Sequence, residues 1–147
     1  MATKTKKPTR TKKTRKKTPK YYWAVGRRKT ATATVRLYEG KSKTTVNQKP
    51  IDQYFPGKIN HKIYIEPFRT TNNVGKYYAL IKVSGSGKKS QLGAVIHGLS
   101  RAFAKVSPDY KRILKNKDLL TRDDRMKERR KPGLAQSARA GKQSPKR

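Results

Sequence analysis

Few residues in this chain have the type and spacing that catalysis or metal binding requires. The most suggestive stretch is Gly85-Ser86-Gly87-Lys88-Lys89-Ser90, a glycine-rich turn with two lysines ahead of apolar residues at helical spacing. With Ser90 as N-cap, the first backbone N–H groups, the two cations and the positive end of the helix dipole together favour an anion. A nucleotide-hydrolysing loop would need Gly, four residues, then Gly-Lys-Ser/Thr. Here Lys82 stands where the first Gly belongs, and Lys89 follows Gly87-Lys88. No metal-holding Asp lies nearby, so the loop fits anion binding rather than phosphoryl transfer.

The remaining reactive side chains are sparse. There is no cysteine, which excludes a disulfide framework and thiol catalysis, and a metal site would have to come from two histidines and eight carboxylates that form no recognisable cluster. His97 falls off the apolar face of its helix, where it serves either as an RNA contact beside Arg101 or as a satisfied, half-buried histidine. No nucleophile or carboxylate accompanies it at a spacing that would make it a general base. Asp123 and Asp124 sit between Arg122 and Arg125 and read as local partners that shape the chain there. A ribonuclease would need an acid and a base poised in one site, and no such pair is offered. The chain reads as a non-enzyme without a cofactor.

Charge supplies the positive evidence. Forty Lys and Arg against eight Asp and Glu give a formal net charge of +32 over 147 residues. Self-repulsion at that density destabilises a compact chain unless a polyanion neutralises it, so the expected partner is nucleic acid. No apolar run approaches the ~20 residues that span a bilayer, which leaves no membrane role in view. Residues 1 to 20 lack the apolar centre of a secretory signal, and the chain reads as cytoplasmic.

The elements that must carry these residues can be traced by periodicity. All twelve aromatic residues lie between Tyr21 and Tyr110, which delimits a body over 21–118. Tyr21 to Val25 reads as a strand, and Ala31, Ala33, Val35 and Leu37 alternate with polar neighbours as a half-buried second strand. A turn at Glu39 to Ser42 leads to a third strand at Thr44 to Val46, and Asn47 with Pro50 opens a short helical turn through Ile51, Tyr54 and Phe55. Ile59 to Asn73 is ambiguous, because Ile63 and Ile65 alternate as in a strand while Pro67 interrupts. Tyr77 to Val83 reads as an interior strand, apolar on both faces. Leu92, Val95, Ile96, Leu99, Ala102, Phe103 and Val106 then define one face of a buried helix, in which Gly93 and Gly98 imply close approach of a sheet or RNA. Ser107-Pro108-Asp109 caps a last short helix to about Asn116.

Two basic segments flank this body. Residues 1–20 carry ten Lys or Arg and no acid, an extension expected to be disordered alone and to condense on phosphates. Residues 119–147 form an extended arm, apolar-poor beyond Thr121, bearing Arg122, Arg125, Lys127, Arg129, Arg130, Lys131, Arg139, Lys142, Lys146 and Arg147. Arg27, Arg28 and Lys29 sit beside the sheet edge, where they can hold a phosphate backbone in fixed register; a solvated basic turn is the alternative.

Several stretches, in order, resemble the bacterial type of small-subunit ribosomal protein nine. They are Gly26-Arg27-Arg28-Lys29-Thr30-Ala31, Asn47-Gln48-Lys49-Pro50 with Gln53-Tyr54-Phe55, and Gln91 with Gly93-Ala94, His97-Gly98 and Arg101-Ala102. The closest are Leu120-Thr121-Arg122-Asp123-Asp124-Arg125 and Glu128-Arg129-Arg130-Lys131-Pro132-Gly133-Leu134, with Lys146-Arg147 at the end. The family usually shows three glycines where this chain has Gly85-Ser86-Gly87, and ends Phe-Ser-Lys-Arg rather than Ser144-Pro145-Lys146-Arg147.

The resemblance implies a two-layer α/β (α+β) fold like the second domain of ribosomal protein five: three strands, a helix, a fourth strand and a packing helix, with a left-handed crossover and long basic extensions. It implies a structural protein of the small-subunit head, bound to 16S-type rRNA near proteins seven, ten and fourteen. The expected rRNA-binding residues are Arg27, Arg28, Lys29, Lys88, Lys89, His97, Arg101, Arg122, Arg125, Arg129, Arg130, Lys131, Arg139 and Lys142. Lys146 and Arg147 are expected at peptidyl-site tRNA. An architectural nucleic-acid-binding protein with basic tails is the other reading.

Overall fold

The computed structural model describes residues 20–134 and Ala138. The expected contacts Arg139, Lys142, Lys146 and Arg147, and nearly all of the N-terminal extension, lie outside the described residues.

Strands β1 (Tyr21–Arg28) and β2 (Ala31–Glu39) form a hairpin whose two-residue turn places Lys29 at φ 52°. A second, much shorter hairpin follows, β3 (Thr45–Val46) and β4 (Lys49–Pro50). Asn47 and Gln48 make its turn, with φ of 47° and 67°, the left-handed pair that a tight hairpin requires. Helix α1 (Ile51–Tyr54) is the single turn expected after Pro50. Helix α2 (Lys58–Thr70) leads into β5 (Tyr77–Ser84), followed by α3 (Lys88–Val106) and α4 (Pro108–Asn116). The five-stranded sheet runs β1-β2-β5-β3-β4, antiparallel except where β3 and β5 pair in parallel, so α2 is the crossover between them.

Three expectations need correction, and one ambiguity is decided. Of the ambiguous segment Ile59 to Asn73, the residues to Thr70 are helical, so the Ile63/Ile65 alternation is not that of a strand. Its buried residues Tyr64, Pro67 and Phe68 fall at three- and four-residue spacing, and the two isoleucines flank that face. β5 is interior by pairing, yet only Ala79, Ile81 and Val83 are buried; Leu80 and Lys82 face outward. The N-cap of α3 is Gly87 rather than Ser90, which is buried one turn inside. In place of a side-chain cap, Gln91 reaches back to donate to the Gly85 carbonyl at 3.0 Å. The sheet has five strands rather than four, because the chain around Asn47 doubles back as β4 before α1. The last helix is capped as expected, Ser107 Oγ accepting from the Asp109 N–H at 3.3 Å.

The core lies between one sheet face and α3. Ala24, Val35, Leu37, Ala79, Ile81 and Val83 meet Leu92, Val95, Leu99, Ala102 and Phe103, all buried. Phe103 anchors the far end, with edge-to-face contacts to Phe68 at 5.0 Å and Tyr77 at 5.6 Å. Helix and sheet approach so closely that a Cβ on Gly26 would lie 2.0 Å from the Ala94 carbonyl oxygen, and one on Gly98 would lie 2.7 Å from a Val35 methyl. The glycines within α3 thus answer to the sheet. Asn47 extends the ladder with its side chain, donating to the Val83 carbonyl and accepting from the Val83 N–H, both at 2.9 Å.

Candidate nucleic-acid interface

The β1–β2 turn, the start of α3 and the first residues after α4 meet at one end of the sheet. Gly85, at φ 79°, packs so tightly on the hairpin turn that a Cβ there would lie 2.4 Å from the Thr30 carbonyl oxygen. This brings Lys88 and Lys89 to the same end as Arg27, Arg28 and Lys29. Lys88 Nζ sits 3.3 Å from the centre of the Tyr54 ring, a cation over an aromatic face, while Lys89, Arg27 and Lys29 are exposed.

Arg28 behaves differently from its neighbours. Its stem crosses α3 at Gly93, where a Cβ would lie 2.4 Å from Cδ, and its Nη2 pairs with Asp123 Oδ2 at 2.7 Å. Asp123 also receives Arg125, with Nε to Oδ1 at 3.0 Å and Nη2 to Oδ2 at 3.2 Å. The Arg125 N–H donates to Oδ1 as well, at 3.2 Å. Those bonds to Arg125, with Arg28 behind them, hold the Asp123 carboxyl well below the usual carboxylate range. The segment that begins the arm is therefore fastened to the hairpin by a carboxylate between two guanidiniums. Leu119 and Leu120 add apolar contact beside it, and Arg27, Arg28, Ile96, His97 and Asp123 line a groove of about 250 Å³ there.

His97, Arg101 and Lys105 lie four residues apart along α3 and meet the free edge of β1. The Arg27 N–H donates to His97 Nδ1 at 3.2 Å, Arg101 Nη1 donates to the Val25 carbonyl at 2.6 Å, and Lys105 Nζ donates to the Trp23 carbonyl at 2.7 Å. Residues 23, 25 and 27 are the positions whose backbone groups point away from β2's partners, so a helical stripe closes an edge that would otherwise template pairing with another chain. Burial, followed by the nearby Arg101 charge, lowers the His97 pKa, so the imidazole is neutral and can accept from Arg27 at neutral pH. His97 is thus half-buried and satisfied at Nδ1. Lys105 was not among the residues singled out by sequence; its place four residues beyond Arg101 was the available signal.

Beyond this edge the described part of the arm carries Arg122, Arg129, Arg130 and Lys131 on exposed chain without helix or strand. Among the described residues, no group of three or more His, Asp or Glu could hold a metal ion. The geometry offers a cationic end, a sealed edge and a basic strand of chain leaving from the same place.

Comparison with known proteins resolves what kind of molecule this is. The family model for ribosomal protein S9/S16 matches residues 26–147. The small ribosomal subunit protein uS9 of Dehalococcoides mccartyi strain 195 is 45% identical over 120 residues, covering 82% of this chain and 91% of that protein. Its counterpart in strain BAV1 is 44% identical over the same shares. The chain belongs to the ribosomal protein S9/S16 family.

That membership makes it a structural protein rather than an enzyme, in keeping with a sequence that offers no acid–base pair. The S9/S16 match begins at Gly26 and so takes in the hairpin end, the β1 edge from Arg27 on, α3 and the arm. Tyr21 to Val25 and the basic extension before them precede it. The anchor Arg28–Asp123 joins two of the sequence stretches by which the family was recognised, one at each end of the body.

Proposed function

We propose that this chain is a structural constituent of the head of the small ribosomal subunit, where its body and both basic extensions bind 16S-type rRNA. The observation that carries the reading is the imbalance of charge in a member of the S9/S16 family. With forty cations and eight carboxylates, one-for-one pairing leaves thirty-two cations without a carboxylate, and rRNA phosphate is the counter-charge. RNA binding and a part in translation follow from the family.

The chain divides by role into an N-terminal extension over 1–20, a body over 21–118 and an arm over 119–147. Arg27, Lys29, Lys88 and Lys89 grip phosphates at the hairpin end. Arg28 and Arg125, paired with Asp123, fix the direction in which the arm departs, and each keeps N–H donors for RNA. His97 and Arg101 face the same rRNA from the β1 edge. Arg122, Arg129, Arg130, Lys131, Arg139 and Lys142 follow RNA grooves along the arm, which at about 3.3 Å per residue reaches roughly 75 Å from Asp124 to Arg147. Lys146 and Arg147 meet peptidyl-site tRNA through its backbone, a contact that reads no base sequence and serves any tRNA. Proteins seven, ten and fourteen are the neighbouring chains.

Sedimentation tests the first level: the protein co-migrates stoichiometrically with small subunits, resists DNase and is released by RNase. Release by DNase instead would overturn it. For the tip, subunits lacking Lys146 and Arg147 assemble normally and hold peptidyl-site tRNA more weakly, by about 1–3 kcal/mol. Equal tRNA dissociation rates at low and moderate salt would remove the tRNA assignment while leaving rRNA binding intact.

A further inference from the structure

The sheet has two faces and the helices cover one. On the other, the register sets Tyr21 opposite Tyr38 and Tyr38 opposite Tyr78, then Trp23 opposite Arg36 and Arg36 opposite Leu80, then Thr34 opposite Lys82. The rings of Tyr38 and Tyr78 stack at 5.3 Å with planes 15° apart, and Tyr21 leans on Tyr38 at 5.4 Å. Arg36 lies 5.6 Å over the Tyr21 ring. Trp23 is 50% exposed, Tyr21 45% and Leu80 41%, a concentration of open apolar surface unusual on so basic a chain. Beside them, a shallow depression of about 680 Å³ is lined by Thr34, Arg36, Thr45, Gln48, Leu80 and Lys82.

We infer that this open sheet face binds an unpaired RNA segment, with bases stacked on Trp23 and its aromatic neighbours and phosphates held by Arg36 and Lys82. The inference rests on the reading of the chain as an RNA-bound protein, and adds to it a surface apart from the arm and the α3 stripe. Charge selects the occupant. The ionised side chains that β1, β2 and β5 place on this face are Arg27, Arg36 and Lys82, all cations, since Glu39 falls on the opposite parity of β2. A second copy of this chain would bring like charges together. A polyanion with flat apolar groups satisfies the cations and the rings at once, because every base has a π face and every nucleotide a phosphate. A duplex keeps its bases stacked inside and offers only the phosphates, so the ring-bearing face distinguishes unpaired RNA from paired RNA.

Trp23 is the chain's single tryptophan, so its emission reports a base stacked on this face, and Leu80→Glu separates that signal from binding along the α3 stripe, which Trp23 also borders. The full-length protein is titrated with oligoadenylate, with an RNA duplex of equal phosphate number, with inorganic polyphosphate and with polyglutamate. Oligoadenylate quenches Trp23 strongly, whereas the duplex and polyphosphate bind, by sedimentation, with little quenching. The double variant Arg36→Ala, Lys82→Ala lowers the slope of log K against log salt, followed by the quench, by about 1.4, two single-strand phosphates at roughly 0.7 each. Leu80→Glu, at an exposed position, abolishes the quench while circular dichroism is unchanged. Saturating oligoadenylate that leaves Trp23 emission unaltered would overturn the proposal, as would equal quenching by duplex or polyphosphate. Equal quenching by polyglutamate would assign the face to an acidic polypeptide and overturn it too. None of these failures touches RNase-sensitive co-migration with the small subunit, so the two readings fall separately.

Discussion

Replacing Gly26 by Ala is the sharpest test of how this body is built, because two known effects oppose each other there. Where the backbone tolerates it, Gly→Ala stabilises by about 0.4–1 kcal/mol, by narrowing the unfolded ensemble. Gly26 has no left-handed φ to forbid alanine, so that gain is available. Against it stands the contact: the new Cβ would lie 2.0 Å from the Ala94 carbonyl oxygen and 2.3 Å from the Gly98 nitrogen, where ordinary contact begins at 3.4 Å. Both obstacles are backbone, which has no rotamer to move aside, so α3 must retreat from the sheet by more than 1 Å. A gap of that size forfeits much of the dispersion between Leu92, Val95 and Leu99 and the strands beneath them. Overpacking generally costs about 1–3 kcal/mol, and backbone against backbone belongs at or above the upper end. The net expectation is a loss of about 2 kcal/mol or more, hence a melting temperature lower by about 10 °C for a body of this size. Circular dichroism melts and urea titrations followed by Trp23 emission measure it. Gly87→Ala is the control, since a Cβ there meets nothing within 4 Å. A Gly26→Ala protein as stable as the parent would show that α3 and β1 do not touch as described.

Leu99 is fully buried with no polar partner at hand, so Leu99→Asp prevents folding outright; a cooperative melt near the parent's would refute the packing of α3. Arg101→Ala releases the Val25 carbonyl to water and lowers stability by about 1 kcal/mol, and an unchanged melt with weakened RNA binding would put its guanidinium on phosphate instead. His97 titrates below its usual 6.5 in the folded state, so the unfolded chain binds the proton first as pH falls; stability is full above about 6.5 and declines below it. His97→Gln, which keeps an acceptor for the Arg27 N–H, flattens that decline; an identical pH profile in the variant would remove His97 as its source. Deleting residues 1–20 leaves the body's melt unaltered and makes the salt dependence of rRNA binding shallower, and an unchanged log K against log salt slope would mark the segment as passive.

Sequence alone was most legible where one face of an element is buried and local chemistry agrees with it. The Ala31 to Leu37 alternation, the α3 stripe and the Ser107-Pro108 cap each fix an element from within a few residues, and the structure follows them. Errors arose where a tertiary neighbour decided. Ile63 and Ile65 alternate because both flank the Tyr64–Phe68 face of a helix, and only the packing of that face, with Phe68 on Phe103 of α3, shows which period is real. Ser90 has the chemistry of an N-cap but is drawn into the core, while the turn at Gly85 and Ser86 starts the helix earlier. Asn47 reads as a helix opener in sequence, yet its left-handed backbone turns a hairpin and its amide bonds to Val83, 36 residues away.

The same limit governs the reading of charge. Composition counts cations but cannot say which are already engaged, and carboxylates are not the only acceptors. Arg101 and Lys105 end on backbone carbonyls of β1, and Arg28 ends on Asp123. A cation on a carbonyl keeps its full charge, so it still attracts RNA from a distance, but its side chain is no longer free to follow a phosphate path. Exposed cations such as Lys29, Lys89 and Lys131 keep that freedom. Long-range attraction therefore belongs to the whole chain, whereas adaptable contact belongs to the hairpin tip and the arm. The Arg28–Asp123 pair joins those two parts mechanically: by pinning residue 123 to the hairpin, it makes the tip and the root of the arm one rigid corner. In the proposed reading, a body seated on rRNA by that corner sends the arm off in a set direction, so the pairing gives the basic arm an address.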